Sequence, residues 1–336
     1  KERLKATPLC EGFFLLEGEN GERYKAGRFS TPNLDELQMQ AAMLGGMERL
    51  PGKLQVHHVI GEISEILSKE ENRHATFQVA SQFNCLEFPS PGVTPENGIS
   101  DYIFDRTQGP ACSIACGPAT AFRNYCAEVD GKRGQTRDRQ INNLAEILER
   151  LHGGADTGMA MVNGYTLAKD EGLRRLNGAL RNLHGSGYEE LRRLLRVGVH
   201  EDVQVTSSRW GHMQLRDEEQ CVTQVFGSAC AVAYSRNGRK LWEPISRLVL
   251  SASYEATMWA ALTTALRHKG QPSARNVYLT CLGGGVFGND MRWIADAMKE
   301  VFEKFKDVDL KVYIVSYSGP IEPELVPLTT RPGEAM

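Results

Sequence analysis

The sequence predicts an α/β fold in which a mixed, mostly parallel sheet is covered by helices on both faces. Two parts of the chain carry this prediction: a strand–helix–strand unit near residues 54–80 and another near residues 276–317. Units of this kind join parallel strands, because the helix returns the chain to the starting edge of the sheet. The 336 residues are 41% hydrophobic and 24% charged, an ordinary globular composition for one or two domains.

The first 53 residues are predicted to form an arm followed by a helix. Residues 1–33 carry turn-forming residues without a sustained hydrophobic period, which is typical of irregular structure. Residues 34–49 have apolar side chains near helical spacing, and Pro51 and Gly52 end that helix. The remaining residues, 54–336, are expected to form the main domain.

The first strand–helix–strand unit is predicted from the hydrophobic pattern. Residues 54–60 form a strand, residues 64–71 a short helix and residues 75–80 a second strand, and a polar loop follows. Residues 130–215 are rich in arginine, asparagine and glycine, and we expect a largely helical insertion there. Its helices are predicted at about residues 138–151, 170–182 and 188–196.

The second half of the chain returns to alternating strands and helices. Strands are predicted at residues 222–227 and 247–251, and a helix at residues 256–268. The closing unit comprises, in order, a strand at residues 276–281, a glycine-rich loop at 282–289, a helix at 290–305 and a strand at 310–317. This alternation predicts helices on both faces of the sheet.

The charge balance excludes several classes of partner. With 39 Lys and Arg against 42 Asp and Glu, the net charge is −3 and the pI is about 6.3, which disfavours broad binding to nucleic acid or an anionic membrane. No apolar run approaches the roughly 20 residues that span a bilayer. The first residues lack a secretory signal pattern, so we expect a cytoplasmic protein without nucleic-acid or membrane partners.

The eight cysteines and eight histidines are scattered along the chain. Most cysteines lie in apolar segments, which is typical of reduced, buried thiols. Cys112 and Cys116 are four residues apart but have no second metal-ligand pair, so a structural zinc site is not expected. His57 and His58 are adjacent in a predicted strand and would point to opposite faces, so we expect no metal site from them.

The strongest local signal is the glycine-rich loop, at residues 283–289, between a predicted strand and an amphipathic helix. Such a loop presents backbone amides and a helix N-terminus that favour a phosphate or pyrophosphate, and the alternative is a tight structural turn. Three of its glycines match the dinucleotide fingerprint. That interpretation fails because Asp307 and Asp309 precede the next strand, whereas the fingerprint requires an acid at the end of that strand.

Polar side chains follow the second strand of the first unit. Gln82, Asn84 and Glu87 lie just after residues 75–80, and ligands bind at the carboxyl ends of strands in an open α/β sheet. The sequence therefore favours a site at this edge. The alternative is that Asn84 and Glu87 only cap the loop.

Two further acids, Asp101 and Asp105, are four residues apart and share one face if their segment is helical. There they would hold a ribose diol, position water or stabilise a developing cation. The alternative is that Asp105 pairs with Arg106 or caps a turn.

A later segment places one aromatic and one acidic residue side by side. Tyr254 and Glu255 are predicted to follow a strand and open a helix, where Tyr254 would stack on a ligand. Glu255 is favourable at a helix N-terminus without any ligand. In the insertion, Asn163 and Tyr165 would add to a pocket rim, and the arginine run between residues 174 and 196 is predicted to be a solvated helix face.

In chain order, these segments resemble those of the macrodomain, a three-layer α/β/α fold that binds ADP-ribose. Residues 59–63 resemble its adenine-side turn, residues 79–84 the segment that presents an asparagine to the distal ribose, and residues 283–289 its pyrophosphate loop. Residues 108–110 occupy the place of its catalytic loop. The ADP-ribose-binding residues implied by the resemblance are Glu62, Ile63, Gln82, Asn84, Gln108, Gly283, Gly284, Gly285, Val286, Phe287, Gly288, Asn289, Tyr254 and Glu255.

A closer resemblance, to the divergent MavL-like macrodomains, covers about residues 54–127 and 220–319. The residues that carry it are Gln82, Phe83, Asn84, Glu87, the segment 101–110, Ala115, Cys116, Gly117, Arg123, Asn124, Tyr254 and Glu255. That group implies hydrolysis of mono-ADP-ribose from arginine side chains, including an arginine of ubiquitin for its bacterial effector member. We therefore expect an (ADP-ribosyl)hydrolase whose partner is a protein mono-ADP-ribosylated on arginine.

This chemistry suits carboxylates. Breaking the bond between ribose and an arginine nitrogen passes through an oxocarbenium-like state, which nearby carboxylates stabilise while they orient water. We expect Asp105 to matter most, then Asp101 and Glu87, and the scheme requires no metal or cofactor. Two alternatives stay open: a reader that binds ADP-ribose without turnover, and a thiol enzyme that uses Cys112 or Cys116.

Overall fold

The computed structural model describes residues 4–19, 21–152 and 158–330. Within these ranges the strands are β1 (Lys5–Pro8), β2 (Phe14–Glu17), β3 (Arg23–Ser30), β4 (Gln55–Ile60), β5 (Thr76–Ala80), β6 (Glu128–Val129), β7 (Lys132–Arg133), β8 (Met159–Val162), β9 (Tyr165–Ala168), β10 (Gly198–Gln204), β11 (Ser207–Ser208), β12 (Met213–Gln214), β13 (Cys221–Gly227), β14 (Asn276–Leu279) and β15 (Lys311–Ser316). The α-helices of the same ranges are α1 (Leu34–Met43), α2 (Ile63–Leu67), α3 (Gln108–Ala115), α4 (Gly117–Tyr125), α5 (Ala145–His152), α6 (Asp170–Arg181), α7 (Gly187–Arg193), α8 (Arg239–Arg267) and α9 (Met291–Lys304).

Nine strands of the described chain form one mixed sheet, in the order β1-β2-β3-β10-β13-β5-β14-β15-β4. The five strands from β13 to β4 are mutually parallel. The pairings from β1 through β10 to β13 are antiparallel. The α/β class is confirmed, and so are both strand–helix–strand units, which are now β4-α2-β5 and β14-α9-β15.

Helices cover both faces of the sheet. Val277 and Leu279 of β14 point into a core with α8 and α9, whereas Tyr278 between them packs into a second core with α2 and α3. Side chains alternate along a strand, so one strand supplies both cores. None of the helices in the described ranges is both long and apolar enough to cross a membrane.

The expected irregular arm is wrong for residues 5–30, which form β1, β2 and β3. β3 pairs with β10, so the segment continues the main sheet rather than lying outside it. At Gly27, with φ 78°, an added Cβ would lie 2.1 Å from the Glu201 carbonyl, and this close approach brings the two strands together. Most side chains of β1 to β3 are exposed or half-buried, so these strands lack the regular alternation of apolar and polar residues by which strands are predicted.

The strand predicted at residues 247–251 is also wrong, because these residues lie inside α8. This helix is buried on most sides: Leu248, Val249 and Leu250 are all fully buried. A helix surrounded by core has a continuous apolar run, which imitates a buried strand. Tyr254 and Glu255 therefore lie in the middle of a helix and not at its start.

The insertion supplies α5, α6 and α7 near the predicted positions. It also supplies β10, a strand of the main sheet that the sequence analysis did not predict. Of the arginines expected on a solvated face, Arg192 is instead buried, with 7% of its side chain exposed, beside Glu255. Residues 153–157 of the predicted insertion, and residues 331–336 of the predicted main domain, lie outside the described residues.

Candidate functional site

A pocket lies at the edge of the sheet where β5, β13 and β14 end. Ala80, Gly227 and Thr280 lie at or just after these three carboxyl ends and line the pocket. Because the strands are parallel neighbours, their ends meet at one edge, where α/β sheets bind ligands. The other lining residues are Ser81, Gln82, Glu87, Phe88, Pro89, Asp105, Thr107, Gln108, Pro110, Tyr165, Ala229, Tyr234, Cys281, Leu282, Gly283, Gly285, Val286 and Phe287.

The glycine-rich loop forms one wall of the pocket and is held closed by Asn289. The Asn289 side-chain amide donates to the Cys230 carbonyl at 2.8 Å, and its backbone amide donates to the Gly283 carbonyl at 2.9 Å. Gly283 has φ 67°, and an added Cβ would lie 2.5 Å from the Ala229 Cβ, so the turn requires glycine. Gly284 and Gly288 belong to this loop but do not line the pocket.

Three successive amides of the loop are left for a ligand. Among the described residues, the N–H groups of Gly285, Val286 and Phe287 meet no acceptor, and all three residues line the pocket. Successive free amides form a concavity suited to phosphate. The N-terminus of α9 was expected to contribute, but the Asp290 side chain caps it by accepting the Arg292 amide at 3.0 Å. A carboxylate already occupies that helix end, so the loop amides alone offer the donors.

Three aromatic rings form the wall opposite the strand ends. The ring centroids of Tyr165 and Phe287 lie 5.4 Å apart, and Tyr234 lies 5.0 Å from Tyr165 and 5.6 Å from Phe287. Tyr165 comes from the insertion, which agrees with its expected place on a pocket rim. Asn163 does not line the pocket, because its side chain donates to the Pro91 carbonyl at 2.6 Å. The rings are tilted against one another by 45° to 75°, so they offer separate aromatic faces and edges to a sugar or a base.

Glu87 is the buried acid of the pocket, with 1% of the residue exposed. Its Oε2 accepts from the Ser113 hydroxyl at 2.7 Å, and its Oε1 has no hydrogen-bond partner among the described residues. Burial raises the pKa of Glu87 to about 7, although the nearby Arg123 and the hydrogen bond from Ser113 oppose that rise. A carboxyl group with this pKa exchanges a proton near neutral pH.

Arg123 of α4 lies beneath Glu87 and is fully buried. Its Nη2 is 3.7 Å from Glu87 Oε2, and its Nε donates to the Cys85 carbonyl at 3.0 Å. The guanidinium also lies 3.8 Å from the centroid of the Phe226 ring. Since several groups hold Arg123 in place, its charge acts on Glu87 from a fixed position.

Asp105 lies at the pocket rim, directly after the 3-10 helix Ser100–Phe104. Its Oδ1 accepts from the Thr107 amide at 3.0 Å. Asp105 lines the same pocket as Tyr165 and Tyr234. Burial raises the pKa values of both tyrosines, and the negative charge of Asp105 adds to both rises. An acid and the aromatic wall therefore meet at one side of the pocket.

Gln82 and Gln108 line the pocket and also fasten its loops. The Gln108 side chain accepts from the Ala80 amide at 2.9 Å and donates to the Gln78 carbonyl at 2.8 Å, which ties the start of α3 to the end of β5. The Gln82 side chain accepts from the Phe88 amide at 3.0 Å and donates to the Phe88 carbonyl at 3.1 Å. The side-chain amides of Gln82 and Gln108 therefore hold the backbone that lines this part of the pocket.

Besides Gly284, Gly288 and Asn289 of the glycine-rich loop, the predicted residues Glu62, Ile63, Asn84 and Asp101 lie outside the pocket. Glu62 caps α2, where its side chain accepts from the Ser64 amide at 2.8 Å, and Ile63 packs into the core beneath that helix. Asn84 is buried and donates to the Gln140 side chain at 2.8 Å. Asp101 is exposed on the 3-10 helix, which ends before Asp105, so the expected shared helical face is wrong.

Tyr254 and Glu255 also do not line the pocket, although Tyr254 supports it. The Tyr254 hydroxyl donates to the Thr280 carbonyl at 2.7 Å and accepts from the Leu282 amide at 3.0 Å, at the base of the glycine-rich loop. Glu255 instead pairs with Arg192 at 2.6 Å. The structure thus assigns Tyr254 a supporting position and gives Glu255 an ion pair elsewhere.

The thiol alternative is disfavoured by burial. Cys112 and Cys116 are fully buried, and burial raises the pKa of both thiols above the ordinary value. A catalytic cysteine needs an accessible thiolate. Neither residue lines the pocket.

Sequence reasoning missed Tyr234 as a site residue and gave Arg123 no role beneath the site. Tyr234 lies in a short 3-10 helix, Val232–Tyr234, without a hydrophobic period that would mark it. Arg123 precedes Asn124 in a helical segment, and only its complete burial indicates its role. A lone arginine in an apolar helix is the signal that would have drawn attention to it.

No family model matches the chain, and no curated protein matches it significantly. Among solved structures, a poly(ADP-ribose) glycohydrolase from Deinococcus radiodurans in complex with ADP-ribose aligns with a TM-score of 0.45 and 13% identity, over 90% of this chain and 95% of that one. A glycohydrolase from Thermomonospora curvata, bound to the inhibitor ADP-HPD, aligns with a TM-score of 0.43 and 12% identity, over 93% and 91%. At these scores the alignments carry no argument about activity.

Proposed function

We propose that the pocket binds ADP-ribose and that the protein hydrolyses mono-ADP-ribose from arginine side chains. One observation carries this proposal: free loop amides, an aromatic wall and two carboxyl groups meet in a single pocket at the ends of β5, β13 and β14. Amides suit a pyrophosphate, flat rings suit a ribose, and carboxyl groups suit cleavage of a glycosidic bond.

The binding mode follows from where these groups lie. The pyrophosphate would accept from the amides of Gly285, Val286 and Phe287, and the distal ribose would rest against the Phe287 ring. Glu62 and Ile63 follow β4 at the same edge of the sheet, two strands along from β14. Two strand spacings are roughly 10 Å, within reach of the adenosine half of the ligand, so the turn at these residues, although outside the pocket lining, would meet the adenine.

The reaction would use the two carboxyl groups differently. Cleavage of the bond between the anomeric carbon and a guanidinium nitrogen leaves a neutral guanidine and an oxocarbenium-like ribose. The Asp105 side chain would stabilise that positive charge and hold the guanidinium. Glu87, with its pKa of about 7, would take a proton from the water as its oxygen bonds to the anomeric carbon, and would then pass that proton to the neutral guanidine. The scheme requires no metal or cofactor.

Free ADP-ribose release tests this function directly. Matched peptides mono-ADP-ribosylated on arginine, serine or glutamate are incubated with the protein at equal concentration, and arginine-modified ubiquitin serves as the first whole-protein substrate. We expect release from the arginine linkage alone. ADP-ribose binding without release from any substrate would overturn the enzyme and favour a reader.

A pair of acids on one segment separates catalysis from binding. Asp105→Asn should lower kcat by about 10²-fold while ADP-ribose affinity changes little, because the lost charge acts mainly on the transition state. Asp101→Asn is the matched control, since Asp101 is exposed and outside the pocket. Equal rates for the two variants would contradict the role given to Asp105.

A further inference from the structure

Three potential metal ligands meet at the edge of the sheet opposite the pocket. His74 precedes β5, Asp202 lies in β10, and His268 follows α8. The pocket begins at Ala80, at the other end of β5, so the length of that strand, roughly 17 Å, separates the two places. Nothing in the proposed reaction uses this cluster.

The spacing of the three ligand atoms suits one ion. Asp202 Oδ1 lies 2.9 Å from His268 Nε2 and 3.3 Å from His74 Nδ1, and one ligand atom from each residue lies within 4.8 Å of the others. Ligand atoms about 2.1 Å from a common ion, at these two separations, subtend roughly 87° and 104°. The first angle is close to that of octahedral coordination and the second is close to that of tetrahedral coordination.

The fold holds two of these residues in unusual backbone conformations. His74 has φ 64° and Asp202 has φ 50°, in the left-handed region that non-glycine residues rarely adopt. Asp202 lies where the register between β10 and β13 shifts, between His200 and Val203, so it is an extra residue that the strand turns aside. Bulges of this kind aim a side chain away from the regular pleat.

The three side chains are also accessible. Between one fifth and one quarter of each remains exposed, so an ion can enter from solvent. Their backbones are anchored: the His74 amide donates to the Cys221 carbonyl at 2.7 Å and the His268 amide to the Thr264 carbonyl at 3.0 Å. The cluster is thus reachable but mounted on the core of the fold.

We propose that His74, Asp202 and His268 bind one divalent transition-metal ion of the zinc class. Two imidazole nitrogens and one carboxylate oxygen suit such ions, whereas Ca²⁺ and Mg²⁺ prefer oxygen ligands alone. The two rings are stacked, with centroids 3.9 Å apart, so binding turns each ring until both nitrogens face the ion. Three protein ligands leave a coordination position for water. The ion would fasten β5, β10 and α8 together.

Cobalt titration of the full chain tests the proposal. The protein is freed of metal with a chelator and titrated with Co²⁺, whose visible ligand-field bands report nitrogen coordination. We expect about one equivalent of bound Co²⁺, displaced by Zn²⁺ and not by Mg²⁺. His74→Gln and His268→Gln should each lose the bands. His184→Gln, at an exposed histidine far from the cluster in sequence, should keep them.

A protection experiment on the wild-type chain does not depend on the folding of any variant. In the wild-type chain, Zn²⁺ should protect His74 and His268 from carbethoxylation, measured by peptide mass spectrometry, and leave His184 and His212 as reactive as before. Equal modification of all four histidines with and without Zn²⁺ would overturn the site. So would Co²⁺ bands that survive the loss of both His74 and His268, because the ion would then lie elsewhere.

Discussion

Glu87 and Glu255 are both buried beside an arginine, yet their environments differ. Glu87 lies 3.7 Å from Arg123, and one of its oxygens has no partner among the described residues. Glu255 lies 2.6 Å from Arg192 and also pairs with Lys304. Burial raises the pKa of Glu87 to about 7. For Glu255 burial acts in the same direction, but the hydrogen bonds with Lys304 and Trp259 and the charge of Arg192 outweigh it and lower the pKa.

The comparison separates two uses of a buried carboxylate. A fully partnered acid stays ionised and stabilises the elements it joins, here α7, α8 and α9. An incompletely partnered acid that lines a pocket has a raised pKa, so it can accept or release a proton near neutral pH. Glu87 therefore has the environment expected of the acid–base group in the proposed reaction, and Glu255 has that of a stabilising ion pair.

Glu87→Gln gives the largest expected effect. The amide keeps the shape of the side chain but cannot exchange a proton, so kcat on arginine-linked ADP-ribose should fall by about 10²–10⁴-fold. Steady-state kinetics measure kcat, and calorimetry measures the affinity for ADP-ribose. Wild-type turnover in this variant would remove Glu87 from the reaction.

Glu255→Gln should act on stability instead. Arg192 and Lys304 lose their shared carboxylate, and we expect the free energy of unfolding to fall by about 3 kcal/mol. Denaturant unfolding measures it, with ADP-ribose affinity unchanged. Glu300→Gln is the control, because Glu300 is 56% exposed and lies 3.5 Å from the same arginine. Its cost should stay below about 1 kcal/mol.

Tyr254→Phe sharpens the comparison within one helix. Tyr254 precedes Glu255 but bonds to Thr280 and Leu282, at the base of the glycine-rich loop. Loss of the hydroxyl removes its bond to the Thr280 carbonyl, while the Leu282 amide keeps that carbonyl as an acceptor at 2.9 Å. We therefore expect a cost of about 1 kcal/mol in unfolding free energy. ADP-ribose affinity should fall as well, unlike in Glu255→Gln. Tyr317→Phe, at an exposed tyrosine, should change neither quantity.

The pH dependence of stability should have opposite signs at the two acids. The pKa of Glu87 lies above its ordinary 4.5, so its contribution is fully present below about 4.5 and is lost as the pH rises to about 7. The pKa of Glu255 lies below 4.5, so its contribution is present above that pH and is lost as the pH falls.

Unfolding free energies measured across this pH range check the signs. As the pH rises from about 4.5 to about 7, the wild type should become less stable relative to Glu87→Gln, by at most about 1.4 kcal/mol per pH unit. Relative to Glu255→Gln, the wild type should instead lose stability only as the pH falls below about 4.5. Parallel slopes for the two variants would mean that the two carboxyl groups titrate alike.

Local pattern predicted some of the site and not the rest. The glycine-rich loop was predicted because consecutive residues form it, and Tyr165 because a turn in the insertion presents it. The pairing of Arg123 with Glu87 could not be predicted in this way, because the two residues lie on separate elements. The same holds for the histidines and Asp202, which looked dispersed along the chain and meet only at the end of the sheet.

The sequence by itself determined the α/β class, the two strand–helix–strand units and the position of the loop at a strand end. Each of these depends on neighbouring residues and on the period of their side chains. Only the tertiary structure decided that β10 joins the main sheet and that residues 247–251 are helical. It also decided that the pKa of Glu87 is raised whereas the pKa of Glu255 is lowered. Burial and distance set the pKa of a carboxyl group, and both exist only once separate elements have packed together.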